Sequence, residues 1–219
     1  VSWRGITFLA ITDPSIEQSR LFRGIDRFDP STTAVQWRDK RSLAEGGPDW
    51  ALARALAEAC RSKGPMFFVN VRPELLVGAD GLLAEIAPDG VHFGEGARPF
   101  ATASEFSGSG VVARDGGPSP ELVADARRRW GLLTRPAHDA AGVARALTEA
   151  ADGVLVSPIF AVPGKGAPRG LDALREARAL RGNRPTPRIF ALGGITEMTR
   201  ASCIEAGADG TAAIRSAWP

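Results

Sequence analysis

The basic side chains of this chain are unevenly chosen. Of 27 Lys and Arg residues only Lys40, Lys63 and Lys165 are lysines. In the hexapeptide VQWRDK, Gln36, Arg38 and Lys40 recur at every second position. An extended strand sends alternate residues to one side, so an amide and two cations would stack on a single face. A compact ammonium is a good point charge for a phosphate oxygen, and a guanidinium adds paired hydrogen bonds. Asn70 with Arg72, His92 with Glu95, then His138, Lys165 and Arg215 extend the set. Gly193-Gly194 adds a segment where backbone can approach a ligand closely, and Thr196-Glu197 after it reads as a helix start with unpaired N–H groups. Together these residues predict a phosphate or pyrophosphate site.

Such residues need a frame that collects them. Short β-rich runs alternate with Ala/Leu/Arg-rich stretches of helical period, the pattern of a parallel sheet wrapped by helices. Strands are predicted at Phe8–Thr12, Ala34–Arg38, Phe67–Val71, Gly90–Gly94, Leu132–Arg135, Gly153–Ser157, Arg188–Leu192 and Thr211–Ile214. Helices are predicted at Ile16–Arg23, Asp49–Ser62, Glu74–Ile86, Pro120–Trp130, Ala140–Ala150, Leu171–Leu180 and Met198–Ala206. Eight strands predict an α/β fold of the (β/α)8 TIM-barrel type, with residues 1–219 as one compact domain. Apart from Lys63, the chemical residues named above then lie at or just beyond the C-terminal end of a strand, where such barrels work. No eighth outer helix follows the last strand in the sequence. That omission predicts an apolar groove between the first and seventh helices, to be covered by a short N-terminal helix or by a partner subunit in a homo-oligomer. The Gly/Ser/Ala-rich stretch Ala97–Pro118 reads as a long excursion or lid.

Composition narrows the classes further. Net charge is +2 over 219 residues, which argues against nucleic acid as a partner. No run reaches the length of a membrane helix and the first residues lack a charged-then-apolar leader, so a soluble cytoplasmic protein is expected. Cys60 and Cys203 lack metal-site spacing and read as reduced core thiols.

The ordered series AITD, VQWRDK, VNVR, DGVHFG, SPIF before Lys165, ALGGI and AGADGTAAI resembles the thiamin-phosphate synthase and TenI superfamily over nearly the whole chain. The resemblance implies a TIM barrel that binds thiazole phosphate. In the synthase branch it couples that compound to hydroxymethylpyrimidine pyrophosphate, and Mg²⁺ assists departure of the pyrophosphate. It also implies that Gln36, Arg38 and Lys40 bind pyrimidine and pyrophosphate with Asn70 and Lys165 beside them, while Gly193, Gly194 and Ile214 cradle the thiazole phosphate. In the TenI branch, a thiazole tautomerase, the histidine at the position of His138 is catalytic.

The sequence departs from this pattern where the metal would sit. The family's Asn-Asp pair reads Asn70-Val71, and the later aspartate position is Ala97, leaving Glu95 as the nearby carboxylate that could substitute. Pro136, Val162, Gly164 and Arg215 stand where the family has hydroxyl side chains. Arg215 could replace a lost phosphate contact with a charge-assisted one. Three functions therefore stay open: a synthase, for which the Gln36–Arg38–Lys40 cluster and Lys165 speak; a tautomerase, for which His138 and the missing metal ligands speak; and a non-catalytic thiazole-phosphate-binding paralogue.

Overall fold

The computed structural model describes residues 2–41, 45–71, 81–94 and 120–218. Eight parallel strands close into a barrel in sequence order: β1 (Phe8–Ile11), β2 (Thr33–Trp37), β3 (Met66–Val71), β4 (Gly90–Phe93), β5 (Leu132–Ala137), β6 (Gly153–Val156), β7 (Arg188–Leu192) and β8 (Gly210–Ala213). The helices outside it are α1 (Gln18–Arg27), α2 (Trp50–Lys63), α3 (helical over the described residues 81–86), α4 (Pro120–Trp130), α5 (Ala140–Thr148), α6 (Asp172–Arg181) and α7 (Glu197–Glu205). None is long and apolar enough to cross a membrane among the described residues.

Period-two alternation divides each strand between two apolar layers. Leu9, Ile11, Phe68, Leu155 and Phe190 fill the barrel interior, whereas Val35, Trp37, Val69, Phe93 and Ile189 pack outward under the helices. The ends of the barrel are built differently. At the N-terminal end Trp3 plugs the interior, its ring 5.2 Å from that of Phe68 and its indole N–H donating to the Asp152 carbonyl at 3.0 Å. Gly153 leaves the room for it, since a Cβ there would stand 2.8 Å from the Trp3 ring. Three Asp-Gly pairs open β4, β6 and β8. In each, the aspartate accepts a backbone N–H of the preceding strand: Asp89 from Phe67 at 2.8 Å, Asp152 from Leu133 at 2.9 Å and Asp209 from Ile189 at 2.7 Å. Arg127 of α4 and Arg181 of α6 then pair with Asp152 and Asp209. These brackets satisfy strand-start amides that would otherwise be buried unpaired.

Among the described residues, the face between α1 and α7 where an apolar groove is expected is filled. After β8 the chain makes a 3-10 turn at Arg215–Ala217, and Trp218 drops to 2% exposure against α1. Its indole N–H donates to the Ile11 carbonyl at 2.9 Å, its ring lies 5.3 Å from Phe28, and Gly24 supplies the space. Arg200 of α7 covers the rest, its guanidinium 4.1 Å from the Phe8 ring centre. One buried tryptophan and one stacked arginine thus occupy the face beside α1 where the sequence predicts an apolar groove. The N-terminal turn sits under the barrel instead.

Candidate functional site

β2 ends at Trp37, one residue short of the expected Arg38, and the alternation holds for its last two residues. Trp37 faces outward, 4.9 Å from Trp50, and Gln36 faces into the barrel at 1% exposure. The Gln36 Oε1 has no donor among the described residues. Arg38 follows the strand, and both its backbone and its side chain are gripped by the end of β1. Its N–H donates to Thr12 Oγ1 at 2.8 Å and its Nη1 to Asp13 Oδ2 at 2.8 Å. Partial burial opposes ionisation of Asp13, but the Ser15 hydroxyl and amide and the Arg38 guanidinium together hold its carboxyl below the ordinary value. Asp39 points the other way. Its carboxylate, 4% exposed, holds Arg41 and accepts the Asp49 N–H at 2.9 Å, while Asp49 in turn caps α2 by accepting from Leu52. Lys40, one residue on, is exposed at the rim. A cavity of about 100 Å³ lies beside these residues, between the ends of β1 and β2 and helices α1 and α2.

Across β3, β4 and β5, Asn70, His92 and Thr134 stand in register below the mouth. His92 Nδ1 is 2.9 Å from Thr134 Oγ1. Burial, with the charges of Arg135, Lys40 and Arg38, pushes the His92 imidazole down to about 3, so it is neutral at physiological pH. The contributions of Lys40 and Arg38 to this field agree with a rim of cations over the mouth. Val71, 1% exposed, lies in the outer apolar layer. Arg72, Glu95 and Ala97 lie outside the described residues, as does the predicted lid. Among the described residues no three His, Cys, Asp or Glu gather as a metal site. Asp13 and Asp39 are engaged by arginines and Val71 offers no oxygen, while Glu95, the carboxylate that could substitute, lies outside the described residues.

The other side of the mouth comes from β5 to β8. His138 is exposed just past β5, and its Nδ1 lies 2.7 Å from the Ser157 carbonyl. A carbonyl only accepts, which places the proton on Nδ1 and the lone pair of the neutral ring on Nε2. Lys165 is exposed in the connection from β6 to α6. The start of that connection is stitched to the Gly-Gly turn after β7, with Ile159 N–H donating to Leu192 at 2.9 Å and Phe160 N–H to Gly193 at 3.0 Å. Gly193 and Gly194 have φ of +97° and +66°, and a Cβ on Gly193 would stand 2.8 Å from Pro158. Only glycine tolerates that combination of backbone and contact. Thr196 then opens α7 with a capping box. The tail of β8 closes the ring: Ile214 is half-buried, Arg215 is exposed, and the Ser216 hydroxyl donates to the Ile195 carbonyl at 2.8 Å. Every described site residue predicted from sequence lies at this end of the barrel. Asp13 is recognisable in sequence as a strand-end group, but its grip with Thr12 on Arg38 is not foreseen there.

The fold and the ring of strand-end groups define a (β/α)8 barrel with a cation-rimmed mouth and a glycine turn opening a helix. Comparison with known proteins gives the family. The family model described as thiamine monophosphate synthase matches residues 117–217. Over 219 residues the chain is 30% identical to the thiamine-phosphate synthase of Chloroflexus aurantiacus, covering 98% of this chain and 84% of that protein. It is 32% identical over 184 residues to that of Synechocystis sp., covering 83% of this chain but only 44% of the relative's length. The solved structure of a thiamine phosphate pyrophosphorylase from Pyrococcus furiosus superimposes with a TM-score of 0.66 at 18% identity, covering 97% and 88% of the two chains. The chain belongs to the thiamine-phosphate synthase and TenI superfamily.

Proposed function

We propose that the protein is a transferase that joins hydroxymethylpyrimidine pyrophosphate to thiazole phosphate. The bond from the pyrimidine methylene to the pyrophosphate oxygen breaks, the electron pair leaves with pyrophosphate, and the thiazole nitrogen captures the methylene cation. Arg38, Lys40 and Lys165 receive the pyrophosphate, whose growing negative charge they stabilise as it leaves. Gln36 and Asn70 take the pyrimidine edge, while Gly193, Gly194, Ile214 and Arg215 take the thiazole phosphate at the start of α7. No step is assigned to Mg²⁺.

The observation that carries this reading is the buried Oε1 of Gln36, which has no donor among the described residues, beneath a rim of cations. A buried acceptor without a donor costs about 1–3 kcal/mol, and an amino group on a ligand seated under a pyrophosphate would satisfy it. Gln36→Met tests this directly. The ligand-free variant should be as stable as the parent or more so, since an orphan acceptor is replaced by apolar atoms of similar shape. Its kcat/KM for coupling should nevertheless fall at least about tenfold. Lost stability with unchanged kcat/KM would assign Gln36 to the core instead.

His138 favours a second reading. With Nδ1 turned to the Ser157 carbonyl, its Nε2 lone pair suits proton transfer on a thiazole carboxylate phosphate, an isomerase reaction. In that case His138→Ala would lose roughly 10²–10⁴-fold in tautomerisation with ligand binding retained. Full tautomerisation by His138→Ala, or none by the parent, would leave the transferase reading alone.

A further inference from the structure

We propose that Asp13 is a positioning residue that sets the Arg38 guanidinium for an incoming pyrophosphate. The proposal rests on the reading of Arg38 as a pyrophosphate ligand. The carboxylate of Asp13 is fixed from behind before it meets Arg38, because Oδ1 accepts from the Ser15 hydroxyl at 2.7 Å and from the Ser15 N–H at 3.2 Å. Only Oδ2 reaches forward, to Nη1 of Arg38 at 2.8 Å. The contact is therefore end-on and uses one of the five guanidinium N–H groups, leaving Nε and Nη2 without a hydrogen bond among the described residues. The backbone of Arg38 is held by the adjacent residue, with the Arg38 N–H donating to Thr12 Oγ1 at 2.8 Å.

Anchoring at both ends restricts an otherwise rotamer-rich side chain. The side chains of Arg38 and Asp13 are only 18% and 29% exposed, so solvent screens the pair less than an open surface pair. An arginine whose fork is already oriented loses little entropy when it binds a phosphate, and the planar geometry of the guanidinium makes that orientation matter more than its charge alone. Asp13 needs no contact with substrate to act in this way. Its low carboxyl pKa keeps the anchor charged across the working pH range. The competing expectation is that Asp13 merely neutralises Arg38, in which case removing its charge would tighten anion binding.

Calorimetric titration with inorganic pyrophosphate separates these cases. The parent protein should bind it, and Asp13→Asn should weaken binding by about tenfold, the scale on which supporting-shell partners act. Asp13→Glu should recover part of the loss. In an Arg38→Gln background, Asp13→Asn should have no further effect, because a positioning residue acts only through the group it positions. The same loss in both backgrounds would show a general structural role and overturn the proposal. So would equal or tighter binding by Asp13→Asn. If the parent itself does not bind pyrophosphate, the reading of Arg38 fails first, and the proposal with it. Should Asp13→Asn not fold, Ser15→Ala keeps the carboxylate and removes the shorter of its two anchoring hydrogen bonds; it should weaken binding about threefold in the parent background alone, and no change would overturn the proposal.

Discussion

Arg135 and Glu149 form a buried ion pair just behind the candidate site, and breaking it from one side should be among the costliest changes in the molecule. Arg135, on the outward side of β5, is 3% exposed at its side chain and Glu149, capping the end of α5, is 13% exposed. Their Nε and Oε2 approach to 2.7 Å, close enough for strong attraction although the N–H is not aimed well at the oxygen. Arg135 Nη1 also donates to the Phe93 carbonyl at 2.9 Å, tying the pair to the top of β4 beside His92. Glu149→Leu would take from a buried guanidinium the carboxylate that faces it, a change worth about 3–5 kcal/mol. That is about a fifth or more of the total stability of an ordinary domain. Replacing both residues by leucine removes two desolvation penalties with one attraction, so the double variant should lie within about 1–2 kcal/mol of the parent. Urea unfolding followed by tryptophan fluorescence supplies the three differences, and their coupling should be at least about 2 kcal/mol. A loss below about 1 kcal/mol for Glu149→Leu, or additive losses in the double variant, would refute the reasoning.

Other consequences are independent of that pair. His92 titrates near 3 when folded and near 6.5 as a free side chain, so below pH 6.5 the unfolded chain takes a proton that the folded chain refuses. Stability from this group is complete above pH 6.5 and falls by up to about 1.4 kcal/mol per pH unit down to about pH 3; His92→Gln should flatten that part of the stability profile, and an unchanged slope would contradict the buried neutral imidazole. Gly193→Ala should cost about 2–4 kcal/mol, since it combines a positive φ with a 2.8 Å approach to Pro158, and a denaturation midpoint within error of the parent would contradict the turn geometry. Lys40→Ala should weaken pyrophosphate binding by roughly 1.5–3 kcal/mol by calorimetry; no change would make Lys40 a surface charge only.

Much of the frame is legible in local pattern. The alternation in VQWRDK correctly sends Gln36 inward and Trp37 outward, Asp49 caps α2 as its spacing suggests, and β7 spans Arg188–Leu192 as expected. Boundaries slip where a local signal misleads. Pro136 discourages a strand reading, yet β5 runs on to Ala137, because inside a closed barrel one missing donor is a smaller loss than an early end to the ladder. α1 begins at Gln18 instead of Ile16 and continues to Arg27. What the sequence hides are partners far apart along the chain: Trp218 on Ile11, Arg200 on Phe8, and Arg38 in the grip of Thr12 and Asp13. No period encodes such contacts. The Asp-Gly pairs at positions 89, 152 and 209 were visible as a recurring dipeptide, but the amide each aspartate serves belongs to another strand.

The central claim is that this mouth joins two phosphorylated heterocycles. The most direct measurement incubates the protein with hydroxymethylpyrimidine pyrophosphate and thiazole phosphate, with and without Mg²⁺, and quantifies thiamine phosphate by oxidation to fluorescent thiochrome phosphate alongside released pyrophosphate. The account predicts that both products appear in equal amounts, and that Arg38→Gln and Lys165→Ala each suppress both. Tight binding of either compound with no thiamine phosphate formed under any of these conditions would contradict it and leave a phosphate-binding protein without the coupling chemistry.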